Sequence, residues 1–257
     1  MNILLCTSRG RALEPVLPPH VGLFPNKIHF FPGAKLRKLS QEAENILRNP
    51  NFTSTETHFY ILAGLTDLTK RIIDRRTHYE EVIFLENPDT AATRVLQEFF
   101  HLTDKVNSMG AKVILCPVIP SCITKWNNSR LHQKKTSYLA HSENYISMQK
   151  NLHLAVTSIN KEIVTFNNSN KLATPFIDRP IIKTYTRNNE TKYKFTYNHL
   201  PDGVHPDREI AITWKNKLIT AITQNRTIKE TIQNSSLLHH ENCTDMETSS
   251  PRRSWRP

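Results

Sequence analysis

The chain has 257 residues, enough for one sizeable core without a second domain. Apolar residues make up 38% and charged residues 22%, which fits a globular protein and excludes a chain too polar to fold. Thirty-four Lys and Arg against 23 Asp and Glu give a formal charge of +11, which favours polyanions as partners but specifies no site.

The positive excess belongs to the body of the chain, because from Arg226 to Pro257 five basic residues nearly balance four acidic ones. The opening run Ile3-Leu4-Leu5-Cys6 is too short for a signal-peptide core or a spanning helix. The expectation is an intracellular protein, cytoplasmic or nuclear, with no signal peptide and no membrane span. Cys6, Cys116, Cys122 and Cys243 show no metal-type pairing and read as free thiols, and no metal or other cofactor is expected. The Asn-x-Ser/Thr triplets at Asn51, Asn127, Asn167, Asn189, Asn225, Asn234 and Asn242 read as chance in an Asn- and Thr-rich chain.

Ile3 to Cys6 is a continuous apolar run, the pattern of a strand covered on both faces, and it ends in Thr7-Ser8-Arg9-Gly10. Lys27 to Phe31 reads as a second strand closed by Pro32-Gly33, and Leu36, Leu39, Ala43, Ile46 and Leu47 recur at helical spacing before Pro50. His58 to Ala63 is a third strand, ending at Gly64-Leu65-Thr66-Asp67, and Lys70 to Arg76 reads as a basic helical turn. Val82 to Leu85 reads as a strand or an extended arm. Thr90 to Met109 is an amphipathic helix closed by Gly110, and Lys112 to Cys116 a buried strand stopped by prolines.

Tyr145 to Ile163 gives a long helix, Thr174 to Asp178 the expected last strand, and Lys183 to Lys194 a basic excursion outside the core. After Asp202-Gly203-Val204-His205-Pro206, residues Ile210 to Ile222 place Trp214, Leu218 and Ile222 on one helical face. Strands alternating with helices predict a three-layer α/β/α, doubly wound, mostly parallel five-stranded sheet, with functional groups at the carboxyl ends of the strands. A domain over residues 1–224 and a polar, disordered tail over 225–257 complete the expected organisation.

Ser8 after the first strand, Gly33 after the second, Gly64 to Asp67 after the third, and Asp202 with His205 before the last helix share an order. In that order and in their positions they resemble the four signature blocks of the SGNH (GDSL-type) hydrolases, over roughly residues 2–224. The resemblance implies the flavodoxin-like fold of that superfamily and an esterase or acyl hydrolase acting on a small ester or acyl substrate. It makes Ser8 the nucleophile, His205 the general base, Asp202 the residue that orients the base, and Gly33 and Thr66 oxyanion donors, with Gly64 and Asp67 supporting the loop. A serine hydroxyl needs an imidazole to take its proton, and a carboxylate fixes the imidazole tautomer.

Two positions depart from the family pattern. Block one reads Cys6-Thr7-Ser8 where the family has Gly-Asp-Ser, and block three has Thr66 where the family has an asparagine amide. Pro32-Gly33-Ala34, Ala63 to Thr69, Thr174-Pro175 and Asp202 to Pro206 with Trp214 downstream resemble the SGNH-like domains of mobile genetic elements and related viral or host genes. That narrower resemblance admits an alternative, a module without chemistry that binds RNA or single-stranded DNA. Lys183, Arg187, Lys192 and Lys194, interleaved with Tyr185, Tyr193, Phe195 and Tyr197, are the candidate contact residues for it.

Overall fold

In a computed structural model, which describes residues 1–50, 57–73, 80–134, 141–187 and 190–244, Asn2–Cys6 forms strand β1 with all five residues buried. β1 is the middle strand of a five-stranded sheet. With β2 (His20–Val21), β3 (Phe24–Phe30), β4 (His58–Leu62) and β7 (Lys112–Leu115), the order is β2-β3-β1-β4-β7. β1 pairs in parallel with β3 and β4, and β4 with β7; only β2 runs antiparallel, against β3.

Strand alternation sorts the apolar side chains onto two faces. Ile3, Leu5, Phe59, Ile61, Val113 and Leu115 join the cluster under helices α1 (Leu36–Leu47), α3 (Pro88–Ser108) and α5 (Tyr145–Ser169). Leu4, Cys6, Tyr60, Leu62, Ile114 and Cys116 join the opposite cluster with Ile210, Trp214, Leu218 and Ile222 of helix α6 (Arg208–Thr244). Two further helices, α2 (Leu65–Leu68) and α4 (Ile123–Lys134), stand at the carboxyl edge of the sheet. This is the expected doubly wound, mostly parallel five-stranded architecture.

Two local expectations are corrected. Of the segment Lys70 to Arg76, expected as a helical turn, Lys70–Ile73 is strand β5, paired antiparallel with β6 (Glu80–Ile83) in a hairpin outside the main sheet, and 74–76 lie outside the described residues. The β-branched pair Ile72-Ile73 suits a strand, and Ile72 packs onto the core while its neighbours stay exposed. Thr174 to Asp178 is not the last strand. The free edge of β7 and the loop after it is filled by side-chain amides of α5: Asn167 bonds both the N–H (3.2 Å) and the C=O (2.8 Å) of Leu115, and Asn160 those of Val118 (2.7 and 2.9 Å). The same amides donate to Thr174 Oγ1 and Asp178 Oδ2, so that segment is held as a loop. The fifth strand is β2.

Lys183 to Lys194 falls in a second hairpin, β8 (Ile182–Arg187) with β9 (Glu190–Phe195), again outside the five-stranded sheet. α6 runs on to Thr244, through part of the segment expected as a tail. Near its middle, Asn225 bonds Ala173 and the Tyr60 hydroxyl, and Arg226 bonds Met1 O and the Asn2 side chain. The cysteines Cys6, Cys116 and Cys122 are free. Among the described residues no helix is long and apolar enough to cross a membrane.

Candidate active site

The parallel order β3-β1-β4-β7 brings the residues that follow these strands to one edge of the sheet. There Ser8 opens a 3-10 turn, Ser8–Leu13, directly after β1, with Thr7 N held by Leu62 O at 3.3 Å. Gly33, in the left-handed region at φ +71°, ends the connection from β3 to α1. The N–H groups of Ser8 and Gly33 have no hydrogen-bond partner among the described residues, as expected at a turn opening and a helix approach.

His205 reaches this edge from the opposite end of the chain. α6 is fixed by Trp214, fully buried against the sheet, and its start is capped by Asp207 Oδ1 accepting from Ile210 N at 2.9 Å. The preceding turn is therefore set. Gly203 takes φ +83°, and a β-carbon there would lie 2.7 Å from Cys122 O, so the turn demands glycine. Cys122 N donates to Gly203 O at 2.8 Å and locks the turn to the loop after β7.

The result is a continuous line of contacts. His205 Nε2 lies 3.1 Å from Ser8 Oγ, and His205 Nδ1 lies 2.6 Å from Asp202 Oδ2. Asp202 Oδ1 also accepts from the N–H groups of His205 (2.7 Å) and Val204 (2.9 Å). Partial burial works to raise the Asp202 pKa, but these hydrogen bonds and the nearby imidazole outweigh it and bring it down to about 2. An ionised carboxylate only accepts, so Nδ1 carries the ring proton and Nε2 is left to accept from the serine hydroxyl.

The cleft over Ser8 has a volume of about 790 Å³. Its floor includes Ser8, Gly33, Ser121 and His205, and its walls are α2, the β5–β6 hairpin and α4. Leu65, Leu68, Val82, Ile83 and Leu85 give it an apolar side. Charged residues lie on the lining as well: Arg71 pairs with Glu80 and Arg94 with Glu86, while Lys35 and Lys70 add positive charge. Trp126 of α4 sits against His205, ring centroids 5.7 Å apart, and carries the Arg130 guanidinium 4.5 Å over its own ring.

Thr66 and Asp67 have other partners. The Thr66 hydroxyl donates to Ala34 O, so its proton ties α2 to the Gly33 loop rather than pointing into the cleft as a free donor. Both carboxylate oxygens of Asp67 accept from Leu36 N at 3.2 Å, bracing the start of α1. Burial pushes the Asp67 carboxyl up to about 6 against the pull of the Leu36 N–H and of Lys35 and Arg94. Gly64, at φ +100°, starts α2 and is pressed against Val118 and Phe99.

On the β8–β9 hairpin, Lys183 stands opposite Lys194, both exposed, with Tyr185 exposed beside them. The side chains of Arg187 and Lys192 lie outside the described residues. The trio His199, Asp207 and Glu209 brings one ligand atom from each residue within 4.8 Å of the others, but His199 and Asp207 already pair at 3.0 Å and Asp207 caps α6.

The sequence matches no family model and no curated protein. Solved structures do match in fold. One is a protein of Bacteroides fragilis assigned as an acylhydrolase, 15% identical, with a TM-score of 0.53 over 90% of this chain and 86% of that one. Another is a GDSL-like lipase of Bacteroides thetaiotaomicron, 15% identical, with a TM-score of 0.51 over 90% of this chain and 88% of that one. The fold is that of the SGNH hydrolases.

Several residues around this cleft carry no local sequence signal. Arg9 is buried beside Ser8, Ser121 reaches the cleft from the loop after β7, and Trp126 with Arg130 comes from α4. Arg9 was legible only as the neighbour of the serine. Asn127, inside a glycosylation-type triplet, is fully buried and bonds the N–H and C=O of Val82, both at 2.9 Å, pinning the β5–β6 wall to α4.

Proposed function

We propose that the protein is a serine hydrolase that cleaves an ester or another acyl bond in the cleft over Ser8. The observation that carries this reading is the unbroken Ser8–His205–Asp202 line at 3.1 and 2.6 Å. Ser8 Oγ attacks the carbonyl carbon as its proton passes to His205 Nε2, and Asp202 stabilises the imidazolium and holds its orientation. The oxyanion that develops accepts from the N–H groups of Ser8 and Gly33. Collapse of the tetrahedral adduct expels the alcohol, which takes the proton from His205, and a water activated by the same imidazole then releases the acid from Ser8.

The apolar side of the cleft suits an acyl chain, and the likeness to acylhydrolase and lipase folds agrees with an ester substrate. Covalent labelling of Ser8 by a fluorophosphonate probe tests the reading directly. Folded protein that resists the probe would overturn it. A second reading, binding of RNA or single-stranded DNA, is favoured by one observation, the exposed Lys183–Lys194 pair with Tyr185 on the β8–β9 hairpin.

A further inference from the structure

Arg9 directly follows the serine, is only 3% exposed, and has no carboxylate at ion-pair distance among the described residues. Its Nη1 donates to Ile119 O and its Nη2 to Pro120 O (3.2 Å), while the buried Nε has no partner. Removing a cation from water is costly, and two carbonyl groups offset only part of that cost. Burial accordingly lowers the guanidinium pKa to about 10, with Tyr197 and Asp202 acting in the other direction. A costly charge is thus kept one residue from Ser8.

The carbonyls that Arg9 holds belong to the loop that also holds the acid–base turn. Three residues on from Ile119, Cys122 N donates to Gly203 O at 2.8 Å, and Cys122 O accepts from the N–H of Trp126, the residue whose ring lies against His205. A single guanidinium therefore connects the turn carrying Ser8 to the turn carrying Asp202 and His205.

We propose that Arg9 is a positioning residue: it locks the serine turn to the Asp202–His205 turn through the Ile119–Cys122 loop. The proposal rests on the reading of Ser8 as nucleophile. Lys125 spends its ammonium on the carbonyls of Tyr197 (2.9 Å) and Leu200 (3.0 Å), His199 pairs with Asp207, and Arg130 lies over Trp126. Of the three cations Arg9 is the buried one.

The test is the rate of fluorophosphonate labelling of the full chain, read as a maximal rate and a half-saturating probe concentration, for wild type, Arg9→Lys and Arg9→Met, with folding followed by circular dichroism. Arg9→Met is expected to lower the maximal rate at least about tenfold with the half-saturating concentration unchanged, because the Ser8 turn loses its tie to the loop that holds the Asp202–His205 turn. Arg9→Lys keeps a donor for one of the two carbonyls and loses the fork, so its maximal rate falls between the other two. A wild-type rate in Arg9→Met overturns the proposal and leaves Ser8 as nucleophile. Equal slowing of both variants, or slowing that comes from a raised half-saturating concentration, reduces Arg9 to packing and also overturns it. A folded wild type that never labels overturns the nucleophile reading and this proposal together. Should Arg9→Met not fold, Arg9→Lys decides: a lower maximal rate at an unchanged half-saturating concentration supports the proposal, and a wild-type rate or a raised half-saturating concentration overturns it.

Discussion

His205 Nε2 lies 3.1 Å from Ser8 Oγ across 197 residues of sequence, one on the turn that opens α6 and the other on the turn that closes β1. A contact of that range depends on α6 being docked through Trp214 onto the same sheet that carries β1. Ser8→Ala and His205→Ala should each lower hydrolysis of a nitrophenyl ester by a factor of roughly 1000 or more while leaving the thermal melt nearly unchanged. Asp202→Asn should keep the contact distances yet cost on the order of 100- to 10,000-fold, because an amide no longer enforces the Nδ1–H tautomer. Ester turnover that survives in Ser8→Ala would locate the chemistry elsewhere.

Thr66 stands where the SGNH resemblance implies an asparagine, and its hydroxyl bonds Ala34 O. Removing that hydroxyl should therefore weaken a brace between α2 and the Gly33 loop rather than delete an oxyanion donor. Thr66→Ala is expected to lower kcat by less than about tenfold, whereas a lost oxyanion donor costs about 100- to 1000-fold. Thr66→Asn, which adds an amide of longer reach, should raise the Ser8 labelling rate by about tenfold or more. A Thr66→Ala enzyme slowed several hundredfold would show that the threonine donates to the transition state after all.

The main sheet and the Ser8, Asp202 and His205 positions were legible because buried parallel strands read as unbroken apolar runs and their ends read as turns. Ile3 to Cys6 and Lys112 to Cys116 are such runs. What the sequence hid are features made by long-range side-chain to backbone bonds. Asn160 and Asn167 occupy the edge where a fifth parallel strand was expected, and no local pattern distinguishes a helical asparagine that bonds a strand from one facing water. Lys70 to Ile73 was misread as a helical turn for a related reason. Its conformation is set by pairing with β6, and β6 is set in turn by the Asn127 amide 45 residues downstream of Val82.

Asp67 gives a prediction about pH. In the folded protein its carboxyl keeps a proton up to about pH 6, against an ordinary value of 3.8. Between those values the folded state binds more protons than the unfolded state, so the Asp67 contribution is fullest below the unfolded value and is lost as pH rises through about 6. Asp67→Asn cannot ionise and retains an oxygen for Leu36 N–H. Relative to wild type it should be more stable at pH 7 by on the order of 1–2 kcal/mol, with the difference shrinking towards pH 4. Urea unfolding at the two pH values measures this, and a variant less stable than wild type at pH 7 contradicts it.

Polyanion binding by the β8–β9 hairpin makes a separable prediction, since the hairpin lies outside the main sheet that carries Ser8. The affinity of single-stranded RNA should fall steeply with added salt, and Lys183→Glu with Lys194→Glu should weaken it and flatten the salt slope. Fluorescence anisotropy at two ionic strengths reads both effects. Binding that is undetectable, or indifferent to salt and to both substitutions, removes the hairpin as a polyanion site.

Asn167 is fully buried and makes three hydrogen bonds with its side chain, two to Leu115 and one to Thr174 Oγ1. In Asn167→Leu the volume is nearly kept, but the N–H and C=O of Leu115 lose their partner on a strand edge closed to water. A buried backbone group left unpaired costs about 1–3 kcal/mol, so the expected loss is about 2–4 kcal/mol by urea unfolding, with the slope m unchanged. Asn167→Asp should be destabilised as well, because a carboxylate can accept from Leu115 N–H but has no donor for Leu115 C=O when ionised, and only at low pH regains one. The loss in Asn167→Asp should therefore shrink as pH falls below the carboxyl range while that of Asn167→Leu stays fixed. A neutral effect of either substitution at pH 7 would mean that the edge of β7 is satisfied by something other than this amide.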